Sequence, residues 1–359
     1  MARRKTLMAR YPKLLLILAA GVALSAGAIG AAGTTRSPAE NWHVAVVTDD
    51  LDYPWDIEMA GGTLVLTEKA GNVVVVDNGD VRRYELETEQ PIRTDGGAGL
   101  LGLALAPNFP ESGRAFFYQS YTKGTEPANR VIEAHFGGET WRERRVLLGG
   151  IPGHRLYNGG RIAIGPDGHL YVTTGWTENY ERPQDVDNLA GKILRMTLDG
   201  EVPPDNPFEG SFVYSYGHRN PQGIAWNSAG ELFSAEHGQS ARDEINQIRP
   251  GADYGWPVIS GEETKDGMET PLLSSGRTTW APSGVAFAGD RLLVAALRGE
   301  GLYALDDEAG ELDLVFTSNE RIRQVLPEGE TLYIITTNRS PRREGISDDR
   351  LLRLSPSRE

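Results

Sequence analysis

A glycine turn followed by a short, apolar, β-prone run occurs six times along this 359-residue chain, and no other feature limits its fold as strongly. The runs are LVLTE at 64–68 after Gly61-Gly62, FFYQSY at 116–121 after Gly113, and LYVTT at 170–174 after GPDG at 165–168. LFSAE at 232–236 follows Gly230, LLVAAL at 292–297 follows Gly289-Asp290, and LYIITT at 332–337 follows Gly329. From one start to the next the spacings are 52, 54, 62, 60 and 40 residues. Similar units at this period mark a propeller with four strands per blade. The runs at 73–77, 193–197 and 302–305 supply hairpin partners in three of the units. The 43 glycines and 21 prolines suit a fold of many tight turns. A two-sheet sandwich does not explain one signature spread evenly over most of the chain. The expected fold is therefore all-β, a six-bladed β-propeller of four-stranded antiparallel blades. It forms one closed domain over residues 42–356, because each blade buries its faces only against its neighbours.

Residues 1–35 stand apart. Arg3, Arg4, Lys5, Arg10 and Lys13 form a basic stretch, and residues 14–33 carry no charge. Small residues at 26–28 suit a signal peptidase. An uncleaved anchor is the alternative, since about 20 apolar residues span a bilayer. Either way the domain is expected outside the cytoplasm, extracellular or periplasmic, touching a membrane only through this segment. The chain has no cysteine, which excludes thiolate zinc sites, disulfide frameworks and thiol catalysis. A net charge of −14 argues against a nucleic-acid partner, which needs clustered cations.

In a propeller the loops at one end of the axis converge, so polar residues after the repeated runs are the candidates for chemistry. Arg321 and Arg323 are two apart and share one face of a strand. With Arg298 they make a cationic group suited to carboxylates and flat aromatic systems. Solvated charges or ion pairs between blades are the plainer reading. Asp243 and Glu244, in a glycine-bounded loop, are oxygen ligands of the kind Ca²⁺ takes, or simply turn-forming carboxylates.

Several longer segments occur in one order: AGLLGLALAPNF at 98–109, GGRIAIGPDGHLYVTTG at 159–175, GKILRM at 191–196, GHRNPQG at 217–223, EHG at 236–238, DEIN at 243–246 and YGWP at 254–257. Together they resemble the soluble pyrroloquinoline-quinone (PQQ) aldose sugar dehydrogenases, the glucose/sorbosone dehydrogenase family, over roughly residues 51–354. The resemblance implies a propeller that holds PQQ above its axis with Ca²⁺. It also implies hydride transfer from the anomeric carbon of an aldose, a lactone product and an external electron acceptor. By motif, Arg219, Asn220, Arg298, Arg321 and Arg323 would contact the cofactor. Gly238 and Gln239 would offer carbonyls to the cofactor-side Ca²⁺, and Glu244 with the Tyr254 carbonyl would hold a structural Ca²⁺.

The chain departs from this family where the proton is handled. The family's histidine base is Tyr157 here, in Tyr157-Asn158-Gly159-Gly160-Arg161, and the aspartate that orients it is Trp176. A cofactor-touching glutamine is Gly97, and a further histidine is Ala106. A phenol with an ordinary pKa of about 10 is a poor base at neutral pH. Three readings follow: Tyr157 is the base, His154 in the same loop has taken over, or sugar oxidation is weakened or lost. Two other classes remain beside the dehydrogenase, a non-catalytic propeller that binds sugar or protein and a Ca²⁺-dependent lactonase.

Overall fold

The computed structural model describes residues 41–109, 111–306, 310–341 and 348–357. The export segment expected at 1–35 lies outside the described residues. Among those described, the chain is almost entirely strand, with one three-residue helical turn at Arg182–Gln184. No described helix is long and apolar enough to cross a membrane.

The strands form antiparallel meanders of four. Three are separate sheets: Ile162–Ile164 through Val213–Tyr216, Pro221–Trp226 through Leu273–Ser274, and Pro282–Ala288 through Glu311–Phe316. Pro54–Ala60 through Asp80–Glu87 and Leu100–Leu105 through Trp141–Pro152 form two more, joined into one eight-stranded sheet. That join is only a parallel pairing of Leu86 with Trp141 and Glu87 with Arg142. The last sheet takes Ile322–Glu328, Thr331–Thr336 and Asp349–Pro356 from the end of the chain and its outer strand, Trp42–Leu51, from the beginning.

Each run seen in the sequence is the second strand of its unit: Thr63–Glu68, Arg114–Lys123, Leu170–Thr173, Leu232–Glu236, Arg291–Ala296 and Thr331–Thr336. These strands are covered on both faces, so they read as unbroken apolar runs. The outer strand Asp80–Glu87 is largely exposed and reads as polar.

Six apolar clusters lie between successive units. Leu101 and Phe116 meet Val172 and Leu194 in one of them. Phe233 and Ile245 meet Val294 in another, and Ile57 and Leu66 meet Ile335 and Leu351 where the end of the chain returns to its start. Burying such side chains is worth about 1.5–3 kcal/mol each, and a sheet gains it only when both neighbours are present. The first strands also touch in sequence, and Ile322–Glu328 meets Pro54–Ala60. Five of these first strands carry a register shift near their start, where bulges re-aim side chains.

Candidate active site

At the end where the first strands begin and the second strands finish lies a cavity of about 730 Å³. Of the residues singled out in the sequence, Tyr157, Arg219, Asn220, Gly238, Gln239, Arg298, Arg321 and Arg323 line it, as do Gly97 and Trp176. His154, Glu244 and Tyr254 do not. They sit behind its wall.

Glu236, at the end of Leu232–Glu236, builds one side. Its buried carboxylate accepts the backbone N–H of Arg219 at 2.8 Å and of Asn220 at 3.2 Å, and meets His218 Nδ1 at 3.1 Å. That anchors the GHRN turn. Asn220 then accepts the N–H of Gly159 at 3.1 Å, and Gln222 donates to the Gly159 carbonyl at 3.1 Å. Gly159 has φ +61°, and a Cβ there would meet the Thr173 carbonyl at 2.6 Å, so the glycine lets two backbones touch.

Gly175 works the same way against Tyr157, whose carbonyl a Cβ would meet at 2.3 Å. The next residue, Trp176, is thereby laid beside Tyr157, with ring centroids 5.9 Å apart. Both side chains line the cavity. The Arg219 guanidinium sits 4.7 Å from the Tyr157 ring, 5.3 Å from Trp256 and 5.6 Å from Trp176. An aromatic box around a cation occupies the place where the family resemblance expects an acid–base pair. His154 stacks on the far face of Tyr157 at 5.5 Å. Its Nδ1 accepts the Leu156 N–H at 3.1 Å, and Nε2 lies 3.5 Å from Glu178. The nitrogen with a lone pair is thus already used, and His154 supports Tyr157 from behind.

The cations are the second feature. Arg321 donates to the carbonyls of Thr337 and Leu297, both at 3.1 Å. Arg323, 4% exposed, reaches Gln222 Oε1 at 3.3 Å and Ser283 Oγ at 3.2 Å, and its Nε has no partner. The Nε of Arg219 is buried and unpartnered as well. Burial pushes Arg323 down to about 10, reinforced by Arg321 and Arg161 nearby. Among the described residues none of these arginines has a carboxylate partner, so unspent donors line the wall. That arrangement fits a flat ligand with several carboxylates.

The oxygen-rich loops divide in two. A Cβ on Gly238 would meet the carbonyls of Ala241 and Arg242 within 2.2 Å, so backbone oxygens crowd this cavity-side turn. Asp243 is not a spare ligand. Its oxygens take the N–H groups of Gly238, Trp280 and Ala281 and the Thr279 hydroxyl, at 2.7–3.0 Å. Behind the wall, burial and the neighbouring Glu236 push Glu244 up to about 8, and the buried Oδ1 of Asn246 is unpartnered. The Glu244 carboxylate and the idle amide oxygen of Asn246 are oxygen ligands of the kind a hard cation takes. Among the described residues no group of three or more His, Cys, Asp or Glu is arranged to hold a metal.

Sequence reasoning missed Lys69, Tyr53, Trp55 and His237 on the cavity and Trp256 in the aromatic box. His237 lies inside the EHG segment and was within reach. Burial pushes its imidazole down to about 4, so it is neutral, and its Nε2 is buried without a partner. Lys69, Tyr53 and Trp55 belong to no motif and only the fold brings them in.

The sequence pattern of the glucose/sorbosone dehydrogenase family matches residues 51–345. The chain belongs to this family. Among similar proteins, the aldose sugar dehydrogenase YliI of Escherichia coli is 28% identical over 363 residues, covering 88% of this chain and 93% of that protein. The quinoprotein glucose dehydrogenase B of Acinetobacter calcoaceticus is 32% identical over 268 residues, 65% of this chain and 56% of that protein. The PQQ-bound aldose sugar dehydrogenase of Streptomyces coelicolor superposes with a TM-score of 0.79 at 35% identity, covering 89% of this chain and 99% of that one. These family relatives are oxidoreductases.

Proposed function

We propose that the protein is a six-bladed propeller that binds PQQ with Ca²⁺ and oxidises an aldose to its lactone, slowly for want of a proper base. The ring of inter-sheet clusters closing from Ile335 to Ile57 supports six blades. The observation that carries the cofactor is the convergence of Arg219, Arg298, Arg321 and Arg323 on one cavity, with no carboxylate partner among the described residues. With Asn220, these residues would hold PQQ. The carbonyls of Gly238 and Gln239 would hold one Ca²⁺, and Glu244 with the Tyr254 carbonyl a second.

The chemistry that bound PQQ supplies is acceptance of a hydride from the anomeric carbon, with Ca²⁺ as Lewis acid. The chain itself must position the sugar, exclude water and take the hydroxyl proton. Tyr157, stacked between His154 and Arg219, is shaped as an aromatic wall, and Trp176 gives it no carboxylate. General-base catalysis supplies about 10²–10⁴ in rate, and that factor is what this site lacks. The basic residues at 3–13 and the uncharged stretch at 14–33 support export, with electrons passing to an external acceptor.

Reconstitution with PQQ and Ca²⁺, followed by absorbance and dye reduction over a panel of aldoses, tests the reading. Binding with slow reduction supports it. Binding without reduction by any sugar would make the protein a binder. The paired change Tyr157→His with Trp176→Asp should raise PQQ-dependent turnover by about 10² or more, whereas Tyr157→Phe should change it little. Rapid wild-type oxidation lost in Tyr157→Phe would show that the phenol is a working base.

A further inference from the structure

Lys69 is a further cation on the same cavity, contributed by the turn after Thr63–Glu68 and belonging to none of the recognised segments. It is 6% exposed. Its Nζ donates to the Gly96 carbonyl at 2.5 Å and lies 4.2 Å from the centre of the Tyr53 ring. A Cβ on Gly99 would meet the lysine Cε at 3.1 Å, so the stem is clamped by the AGLLG segment and cannot swing to solvent. Among the described residues it has no ion pair. Asp95, the nearest acid to act on it, is held by Arg93 at 2.8 Å. Arg323 and Arg339 act on the ammonium directly, and Arg321 and Asp349 act on the Tyr53 beneath it.

We propose that Lys69 is a proton-accepting element of this binding site: arrival of an anionic ligand charges its amine, so that binding takes up one proton from solvent. The proposal rests on the reading of the cavity as a PQQ site. An amine in a dry wall beside arginines is costly to charge until a counter-charge arrives. Burial first, then Arg323 and Arg339, push Lys69 down to about 7. The carboxylates of PQQ would cancel that field and return the group toward an ordinary lysine value of about 10. The ligand therefore favours the protonated form. Below pH about 7 the amine is already charged and affinity is flat; above it, affinity falls about tenfold per pH unit.

His237 is pushed down to about 4, and burial pushes the Tyr53 phenol up. Neither changes charge in the window between pH 7 and 9.

The test is calorimetric titration of the purified, PQQ-free, Ca²⁺-loaded full chain with PQQ, in buffers of different ionisation enthalpy. At pH 8 the wild type should take up about one proton per PQQ, and almost none at pH 5.5. Lys69→Met should abolish the uptake, binding about a thousandfold more weakly than wild type at pH 6 and only about tenfold more weakly at pH 9. Lys69→Arg, which keeps the charge, should bind tightly across the whole range without uptake, and it covers the case in which Lys69→Met fails to fold. Uptake that persists in either variant, or wild-type binding independent of pH between 6.5 and 9, overturns the proposal and leaves the cofactor reading standing. Absence of PQQ binding at every pH overturns both.

Discussion

Arg130 and Arg323 are both nearly inaccessible, at 3% and 4% exposed, and both lie against aromatic rings. Their surroundings differ. Arg130, on Glu126–Phe136, meets both oxygens of Glu143 at 3.0 and 2.7 Å and donates to Gln119 at 2.9 Å. Arg323, on the cavity, has a glutamine oxygen, a serine hydroxyl and an idle Nε. The same contrast runs through the molecule: Arg195, Arg114 and Arg145, none of which lines the cavity, are matched to Asp and Glu, while among the described residues the arginines of the cavity are not. A charge buried with its partner is structure. A charge buried without one is held ready for a ligand, and its cost is met by packing elsewhere.

The contrast is sharpest in variants. Arg130→Met strands the buried Glu143 and should lower stability by about 3–5 kcal/mol, read as a shifted urea midpoint. A loss below 1 kcal/mol would mean that Glu143 finds water and the pair is not structural. Arg323→Met removes an unmatched charge, so stability of the PQQ-free protein should not fall, while PQQ affinity drops at least tenfold, about 1.4 kcal/mol. Marked destabilisation with unchanged affinity would break the comparison, placing Arg323 among the structural arginines. At the small end, Arg249 and Glu269 form an exposed pair at 3.2 Å. Arg249→Met should stay within about 0.5 kcal/mol of wild type, since solvent screens such pairs.

How much of this was readable in the chain varied by element. Leu232–Glu236 was found to the residue because both its faces are buried and a glycine marks its start. Ile162–Ile164 was not, being three residues long. Trp42–Leu51 was invisible as a closing strand, because its partner, Asp349–Pro356, lies at the other end of the chain. Within the site, Arg219, Asn220 and Gly238 were legible from their segments. The aromatic box was only half legible: Tyr157 and Trp176 stood out as departures from the family, but nothing in the sequence placed Trp256 with them around Arg219.

By itself the sequence determined what is local: where the chain turns, which runs are buried on both faces, and which segments carry arginine, glycine and acid in the family's order. Glycine's freedom at positive φ and the apolar character of a doubly covered strand act over a few residues, so they survive in one dimension. Only the tertiary structure decided which charges are matched. Arg323 meets Gln222 and Lys69 meets Gly96 because separate sheets close on one axis, and whether a cation is neutralised, desolvated or crowded by its like depends on distance in space. The residues of the site are written in the chain; their readiness for an anion is a property of the cavity.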